Sequence, residues 1–291
     1  MHTLVIGAGF SGLRIAQLAC KAGSVTATRR SAESLIALDK AGIRGIVLNE
    51  HSQPEELQEA LSTVTHLVIC AGPARTEPLD DSVLRLFTHE ALRLPQLQWV
   101  AYLSTIGVYG NHDGNWVNES TPCSSTQVRS RMRREAELGW QARALHWQVP
   151  ISVLRLSGIY GPGRNAIIDA LNGRARMLIK PGQVFNRIHV DDLAAATVKA
   201  AELKYNGVLN ITDDVPAAPQ EVITFAHTLV GKAAPVAVDF DTAEISDMAR
   251  SFYNENKRVR NSLSKTALQF EYRYPDYKSG LQSVFDHIQQ G

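Results

Sequence analysis

The chain has 291 residues, of which 44% are hydrophobic and 20% charged, an ordinary globular composition with enough apolar material for a buried core. Its formal net charge of +1 creates no strong field for nucleic acid or an anionic membrane, so we expect neither as a partner. Three widely spaced cysteines, Cys20, Cys70 and Cys123, argue against disulfides or a metal site and favour a cytoplasmic protein. No signal peptide is expected before the first strand, and no apolar run reaches the ~18 residues of a membrane span.

Strand and helix patterns alternate along the first half of the chain. Strands are predicted at residues 3–6, 25–28, 45–48, 66–70, 99–103 and 151–156. Helical spacing follows at residues 13–19, 35–40, 54–61, 80–94 and 131–147. Strands at regular intervals with helices between them indicate an α/β fold, a Rossmann-type doubly wound parallel sheet.

The pattern changes after Ser157, where glycines and prolines crowd residues 158–163. A helix is predicted at 191–203 with Asp191 as its N-cap, then a strand at 207–212 and a helix at 220–230. We therefore expect a dinucleotide-binding domain over residues 1–157, with residues 184–212 returning to it. Residues 158–183 and 213–291 would form a smaller C-terminal substrate-binding region.

A glycine-rich turn connects the first predicted strand to the first helix. Gly7 permits the tight turn, Gly9 lets the backbone approach a pyrophosphate, and Gly12 allows close packing of helix on strand. The helix N-terminus stabilises the anion. This strand, turn and helix context predicts a dinucleotide site formed by Gly7, Gly9, Phe10, Ser11, Gly12 and Leu13.

The second predicted strand ends in Arg29, Arg30 and Ser31. An acidic residue at this point would hydrogen-bond the ribose hydroxyls of NAD, and none occurs before Glu33. A guanidinium pairs with a 2′-phosphate through two parallel hydrogen bonds. We therefore expect NADP(H), with NAD(H) as the alternative cofactor, unless the two arginines form only a solvated loop edge.

Four segments in this order resemble the extended short-chain dehydrogenase/reductase superfamily, in its NAD(P)-dependent epimerase/dehydratase branch. They are the glycine turn, Leu103-Ser104-Thr105-Ile106-Gly107-Val108-Tyr109-Gly110, Arg155-Leu156-Ser157-Gly158-Ile159-Tyr160-Gly161-Pro162-Gly163-Arg164, and Arg187-Ile188-His189-Val190-Asp191-Asp192. Residues 210–214 and 270–276 are similar to a bacterial YeeZ-type subgroup. The resemblance implies a Rossmann domain and a small substrate domain, with the active site between them.

The same resemblance assigns expected roles to individual residues. Thr105 matches the family's catalytic Ser/Thr, which hydrogen-bonds the reacting oxygen. The other matched positions would line the cofactor: Leu103 and Ser104 at the nicotinamide ribose, Ala71, Gly72 and Pro73 after the fourth strand, and Ser157, Gly158 and Ile159 on the other side of the nicotinamide.

The family's proton-donating Tyr, with a Lys four residues later, has no match at residues 124–137, which contain neither residue type. Aligning Glu135 with the family's Glu places Gln127 at the Tyr position and Arg131 at the Lys position. Aligning Glu137 instead places Arg129 and Arg133 there. Arginine replaces lysine as a cation, but neither Gln nor Arg is an effective proton donor near neutral pH.

Other residues have competing interpretations. Tyr253 and Lys257, like Tyr274 and Lys278, have the dyad spacing, but we expect them to lie far from the dyad helix and interpret the spacing as chance. Tyr109 and Tyr160 are the nearest phenols by motif, at positions that are usually structural. The four arginines from Arg129 to Arg134 either attract an acidic ligand or form a solvated helix face paired with Glu135 and Glu137.

Two functions remain open. The first is an NADP(H)-dependent oxidoreductase or epimerase-like enzyme, a homodimer being compatible with it, that acts on a small carbonyl or hydroxyl compound. Thr105 would polarise the oxygen, and another group or water would move the proton. A UDP-sugar is not expected, because Phe185 stands where sugar-nucleotide relatives carry an Arg. The second is a catalytically silent NAD(P)-binding sensor.

Overall fold

The computed structural model describes residues 1–49, 51–52, 54–89 and 92–290. Seven strands form the central sheet: β1 His2–Ile6, β2 Ser24–Arg29, β3 Arg44–Val47, β4 His66–Ile69, β5 Trp99–Thr105, β7 Ile151–Leu156 and β11 Gly207–Ile211. Six short strands lie outside it: β6 Trp116–Val117, β8 Gly158–Tyr160, β9 Met177–Ile179, β10 Arg187–His189, β12 Ala237–Asp239 and β13 Arg258–Val259.

The helices of the described residues alternate with these strands. They are α1 Phe10–Ala19, α2 Ile36–Asp39, α3 Pro54–Leu61, α4 Ser82–Phe87, α5 Val128–Trp147, α6 Ala166–Leu171, α7 Val190–Glu202, α8 Pro219–Leu229, α9 Asp247–Tyr253, α10 Ser262–Leu268 and α11 Tyr277–Gln290. Short 3₁₀ helices occupy Glu33–Leu35 and Ile106–Tyr109. Within this part of the chain, no helix is long and apolar enough to cross a membrane.

All pairings in the central sheet are parallel, and the strand order is β3-β2-β1-β4-β5-β7-β11. The order reverses between β1 and β4, so the connections wind outward in both directions from this point. In such sheets ligands bind outside the carboxyl ends of the strands, beside the reversal. The predicted α/β fold with a Rossmann-type doubly wound sheet is therefore confirmed.

The two faces of the sheet are covered by separate hydrophobic clusters. One face packs against α1, α7 and α10, and its cluster includes Ile15 and Leu193. The other face packs against α3, α4 and α5, around Phe87 and Trp140. Strands buried on both faces are mainly apolar. All residues of β4 and β7 are buried, and the polar side chains among them, His66, Ser152 and Arg155, are each hydrogen-bonded.

The C-terminal half adds a smaller assembly beside the carboxyl ends of the strands. Its short strands pair in parallel as β8 with β10, β9 with β12 and β6 with β13. A third cluster of buried side chains joins α6, α8 and α11: Tyr160, Ile167, Ala217, Val222, Ala226, Tyr277, Leu281 and Val284. The pairing of β13 with β6 matters for the site, because it ties residues near 257 to the loop that follows β5.

Helix α4 is much shorter than the helix predicted for residues 80–94. Asp81 caps it by accepting the Leu84 N–H at 2.9 Å, and the helix ends at Phe87. The Thr88 hydroxyl then donates to the Arg85 carbonyl at 2.7 Å. The prediction was therefore wrong about the length of this helix. Residues 90 and 91 lie outside the described residues.

The start of α7 also corrects a prediction. His189, not Asp191, is the N-cap, because its Nδ1 accepts the Asp191 N–H at 3.2 Å. Asp191 lies in the first turn, where its carboxylate accepts from Arg14 of α1 at 2.6 Å. Asp192 accepts the backbone N–H groups of Arg273 and Tyr274 at 2.9 and 2.8 Å. These bonds attach the C-terminal segment to the sheet.

Candidate functional site

The glycine turn has the geometry of an anion site. Gly7 has a φ of +83°, and a Cβ at Gly12 would lie 2.6 Å from the Gly7 carbonyl oxygen. A Cβ at Gly9 would meet nothing within 4 Å, so the space in front of the turn is open. Helix α1 has no side-chain cap and no acidic residue in its first turn. Its free N–H groups and positive dipole end therefore fit a pyrophosphate.

The turn is tied to the strand on each side of β1. The N–H groups of Gly7 and Ala8 donate to Oγ1 and O of Thr28, each at 2.9 Å. The Ala71 N–H donates to the Ile6 carbonyl at 3.2 Å, which brings the segment after β4 against the turn. Phe10, Ser11 and Leu13 are half-buried in the first turn of α1. The Arg164 guanidinium lies 5.7 Å from the centre of the Phe10 ring.

The end of β2 presents cationic side chains beside the turn. The Nε atom of Arg29 is buried, and no described residue accepts a hydrogen bond from it. Arg30 is exposed, and its carbonyl accepts from Asn49 at 3.2 Å. The Ser31 N–H donates to the Ser34 hydroxyl at 3.4 Å. The end of β2 therefore carries two guanidinium groups next to the glycine turn, one half-buried and one exposed.

A cleft of about 580 Å³ opens at the carboxyl ends of β4, β5 and β7. Thr105 ends β5 and lines it, and its Oγ1 accepts the Gly107 N–H at 3.1 Å. Of the residues expected at the cofactor, Pro73, Ser157, Gly158 and Ile159 also line the cleft. A volume of this size suits a small ligand or part of a larger one.

Ser104 and Leu103 are placed behind the cleft rather than in its lining. The Ser104 hydroxyl donates to Glu137 Oε1 of α5 at 2.5 Å, and both side chains are buried. Arg155 donates to the same carboxylate at 3.1 and 2.9 Å, and Arg134 at 2.7 Å. This buried network fixes α5 against β5 and β7. Glu137 is therefore a structural anchor, not part of a solvated helix face.

The arginines at the start of α5 divide into two sets. Arg131 donates to Glu77 at 2.5 Å and to the Thr126 carbonyl, outside the cleft lining. Gln127, also outside it, is the N-cap residue and donates to the Ser251 carbonyl at 2.9 Å. Arg129 and Arg133 line the cleft instead. The alignment that uses Glu137 places Arg129 and Arg133 at the dyad positions, and these are the two arginines that line the cleft.

Arg133 spans the back of the cleft. Its guanidinium lies against the Cα of Gly72, where any side chain would collide with it. It donates to the Leu103 carbonyl at 2.9 Å. Gly72 is exposed beside it, so the cation and the segment after β4 share one wall. Arg133 therefore places its cation between the segment after β4 and the end of β5.

Lys257 lines the cleft. Its ammonium donates to the carbonyl of Gly110 at 2.6 Å, although the two residues are 147 positions apart in the sequence. Its second acceptor is Glu255 Oε2 at 2.8 Å. Burial lowers the pKa of the Lys257 ammonium, and the Glu255 carboxylate opposes that lowering. The Ser125 hydroxyl donates to the other oxygen of Glu255 at 2.8 Å. The expectation that this segment lies far from the dyad helix was therefore wrong.

Strand pairing explains how Lys257 reaches the cleft. Lys257 directly precedes β13, which pairs with β6 in the loop that follows β5. Asn186 strengthens the arrangement, since it donates to the Lys257 carbonyl at 2.9 Å and accepts the Val259 N–H at 2.8 Å. Tyr253 does not line the cleft, because its ring packs on Phe185 and Phe240. The Tyr-x-x-x-Lys spacing is thus incidental, but its lysine is in the site.

The two tyrosines nearest by motif direct their hydroxyls elsewhere. Tyr109 is fully buried and donates to Asn210 Oδ1 at 2.7 Å. Burial raises its pKa to about 12. Tyr160 contributes its ring to the cleft, but its hydroxyl lies against Gly280 and donates to the Asp276 carbonyl at 3.4 Å. Burial also raises the pKa of Tyr160. Neither phenol is placed as a proton donor to the cleft.

Four charged residues of the lining were not predicted as site residues: Arg75, Arg187, Glu255 and Lys257. Arg187 belongs to a recognised motif, and its guanidinium donates to the carbonyls of Phe185 and Ala217 at 3.0 and 3.1 Å. Arg75 and Glu255 lie in segments with no motif, and Lys257 belongs to the Tyr253–Lys257 spacing that was interpreted as chance. A lysine and a glutamate two residues apart in a polar stretch are a further cue to the Lys257–Glu255 pair.

A doubly wound sheet with a glycine turn at its reversal and a cleft beside it defines the class of Rossmann-type dinucleotide-binding proteins. A family model described as "NAD dependent epimerase/dehydratase family" matches residues 3–212. The chain belongs to this family. The matched residues include the glycine turn, Thr105 and the cleft residues 156–160 and 184–187. The match ends before Lys257.

Named relatives match the whole chain or part of it. "Protein YeeZ" of Escherichia coli K12 is 25% identical over 94% of this chain and 96% of its own length. A "3-diazoavenalumate denitrifying reductase" of a Streptomyces species is 32% identical over 44% of this chain and 45% of its own length. The YeeZ similarity agrees with the subgroup resemblance drawn from residues 210–214 and 270–276.

Solved structures agree on the fold. A functionally unknown conserved protein from Silicibacter pomeroyi is 38% identical, covers 98% of both chains and superposes with a TM-score of 0.87. A UDP-glucuronic acid 4-epimerase from Bacillus cereus in complex with NAD covers 100% of this chain and 99% of its own, with 20% identity and a TM-score of 0.79. At that identity the second likeness shows the fold alone.

Proposed function

We propose that this chain is an NADP(H)-dependent oxidoreductase that acts on a small carbonyl or hydroxyl compound. The observation that carries the proposal is that Thr105, Arg133 and Lys257 line one cleft beside the glycine turn. A bound nicotinamide cofactor would supply or accept the hydride there. The relatives named as reductase or epimerase, and the family's NAD dependence, support this reaction class.

The cofactor would be held from its two ends by different groups. The glycine turn and the N-terminus of α1 would take the pyrophosphate, and Arg29 and Arg30 the 2′-phosphate of NADP(H). Arg133 would hold the nicotinamide ribose in place of the family's Lys, because it lies against Gly72 and the Leu103 carbonyl. The phosphate contacts are those that separate NADP(H) from NAD(H).

Two side chains of the cleft divide the work at the reacting oxygen. Thr105 would hydrogen-bond this oxygen and orient it, as a threonine hydroxyl can both donate and accept. Lys257 would donate a proton to the oxygen in reduction and remove it in oxidation. Burial lowers the pKa of Lys257 toward the range of a useful acid, and Glu255 and Gly110 fix its position. No family tyrosine is needed for this route.

The test is a screen of small carbonyl compounds with NADPH oxidation as the readout, using the intact chain. A substrate found in this way should be turned over much more slowly by Lys257→Met and Thr105→Val. Tight NADPH binding without turnover of any compound, together with NADP(H)-dependent capture of a partner protein, would replace the proposal with the silent sensor. Turnover that is unchanged in Lys257→Met would remove Lys257 from the mechanism.

A further inference from the structure

The residues that line the cleft carry far more positive charge than the chain as a whole. The formal net charge of the chain is +1. Among the described residues of the lining, five cations face one carboxylate, which leaves an excess of four: Arg75, Arg129, Arg133, Arg187 and Lys257 against Glu255. Such a concentration in a cleft of about 580 Å³ attracts anions.

Three of these cations already have acceptors. Lys257 is bonded to Glu255, Arg133 to the Leu103 carbonyl, and Arg187 to two backbone carbonyls. Arg75 and Arg129 form no salt bridge with any described residue. Among the described residues, only Lys257 of this lining is paired with a carboxylate, because backbone carbonyls orient Arg133 and Arg187 without neutralising them. Arg75 and Arg129 are the two cations that are neither paired nor oriented by such an acceptor.

Arg129 is held in place without being neutralised. Its guanidinium lies 4.1 Å from the centre of the Phe252 ring of α9, which fixes the plane of the group. Burial lowers the pKa of Arg129, Glu255 opposes the lowering, and the charge of Arg75 adds to it. An anion bound between Arg75 and Arg129 would relieve the repulsion between their like charges.

The start of α5 adds a second source of positive potential. This 20-residue helix begins at Val128, and its N-cap Gln127 makes no capping bond through its side chain. Arg129 and Ser130, both in the first turn, line the cleft. The unbonded N–H groups and the dipole of a long helix favour an anion at this end.

We infer that the substrate of the cleft is a small anion, a carboxylate or a phosphate ester, whose charged group is bound between Arg75 and Arg129. The inference rests on the proposed function and names the substrate class for it. The pyrophosphate of the cofactor is not this anion, because none of the residues that line the cleft belongs to the glycine turn. Arg75 and Arg129 each offer a planar guanidinium fork, which suits both classes of oxyanion.

The test titrates the intact chain, alone and saturated with NADP⁺, by calorimetry at constant ionic strength. The probes are oxalate for carboxylates, inorganic phosphate for phosphate esters, and oxamide as the neutral counterpart of oxalate. The variants are Arg129→Gln, Arg75→Gln and the surface control Arg85→Gln, whose side chain is 69% exposed and pairs with Asp80. Arg75 is also exposed, so its variant should fold even where Arg129→Gln does not.

We expect saturable binding of oxalate or phosphate but not oxamide, weakened about tenfold in Arg75→Gln and Arg129→Gln and unchanged in Arg85→Gln. Which probe binds more tightly decides between carboxylate and phosphate. Absence of saturable binding by both anions, or equal weakening in Arg85→Gln, would overturn the inference. NADPH titration of the same samples separates the two failures: NADPH binding without anion binding overturns the substrate class and leaves the proposed function standing.

Discussion

The glycine turn and the cleft lie at the same edge of one sheet but are built in opposite ways. The turn is one contiguous segment, and it offers an anion only backbone N–H groups and open space in front of Gly9. The cleft collects side chains from segments as distant as Thr105 and Lys257. Backbone N–H groups can bind any pyrophosphate. Side chains held in fixed positions instead select a substrate by its reacting oxygen and its charge. On the proposed function, the turn is a general cofactor site and the cleft is a specific substrate site.

The glycine turn should lose most of its affinity for NADPH when a negative charge is placed in the open space in front of Gly9. In Gly9→Asp the chain should keep its thermal stability, because a Cβ at Gly9 meets nothing within 4 Å. NADPH affinity should fall about 1,000-fold, since a carboxylate would then face the pyrophosphate. Fluorescence titration measures the affinity. Thr228→Asp adds the same charge on the exposed side of α8 and should leave it unchanged.

The cleft should lose its chemistry without losing the cofactor. Lys257→Met should reduce kcat by about 100-fold to 1,000-fold while NADPH affinity stays close to that of the parent chain. Lys257→Arg keeps the charge beside Glu255 but releases a proton poorly. It should therefore fold like the parent chain and still not recover the rate. An equal loss of NADPH binding in Lys257→Met would show that the two regions are not separable.

The pH profile sharpens the same assignment. An acid works only while protonated, so the reduction rate should fall as the pH rises through the pKa of Lys257. Burial lowers that pKa below the 10.5 of an ordinary lysine, so the alkaline limb should lie below pH 10.5. Steady-state rates across pH measure it, and Thr105→Val should keep the limb at a reduced rate. A limb that persists in Lys257→Met belongs to another group.

The boundary between the regions is tested by two arginines on one helix. Arg133→Gln should weaken NADPH binding about tenfold, because it removes the cation beside Gly72. Arg131→Gln should change it by less than about threefold, since its exposed pair with Glu77 contributes little. The two substitutions are matched in chemistry and two positions apart. The reverse order of effects would favour the alignment that uses Gln127 and Arg131.

The smallest effect concerns the link between sheet and C-terminal segment. Burial lowers the pKa of His189 to about 4, so the unfolded chain binds this proton more readily than the folded one. Stability should therefore decrease as the pH falls from about 6.5 toward 4. His189→Asn keeps a capping acceptor but does not titrate, so its melting temperature should decrease less over this range. If the melting temperatures of the parent chain and His189→Asn decreased equally over this pH range, other groups, such as His66, would cause the pH dependence.

Local patterns made the turn and most of the sheet predictable. Gly7, Gly9 and Gly12 act within one βαβ unit, and buried parallel strands such as β7 are mainly apolar. The length of α4 was not predicted, because the apolar spacing of residues 80–94 continues beyond Phe87, where the helix ends. Lys257 was not predictable either, because the β6–β13 pairing that places it joins two strands of only two residues each. Contacts of that kind leave no periodic pattern in the sequence.

Our central proposal is that the turn region binds NADP(H), with Arg29 and Arg30 in contact with its 2′-phosphate. Its most direct test is titration of the purified chain with NADPH and with NADH, repeated on the Arg29→Ala, Arg30→Ala double variant. We predict that NADPH binds about 10-fold to 100-fold more tightly than NADH, and that the double variant binds both alike. Equal binding of the two cofactors by the parent chain, or binding of neither, would contradict the account.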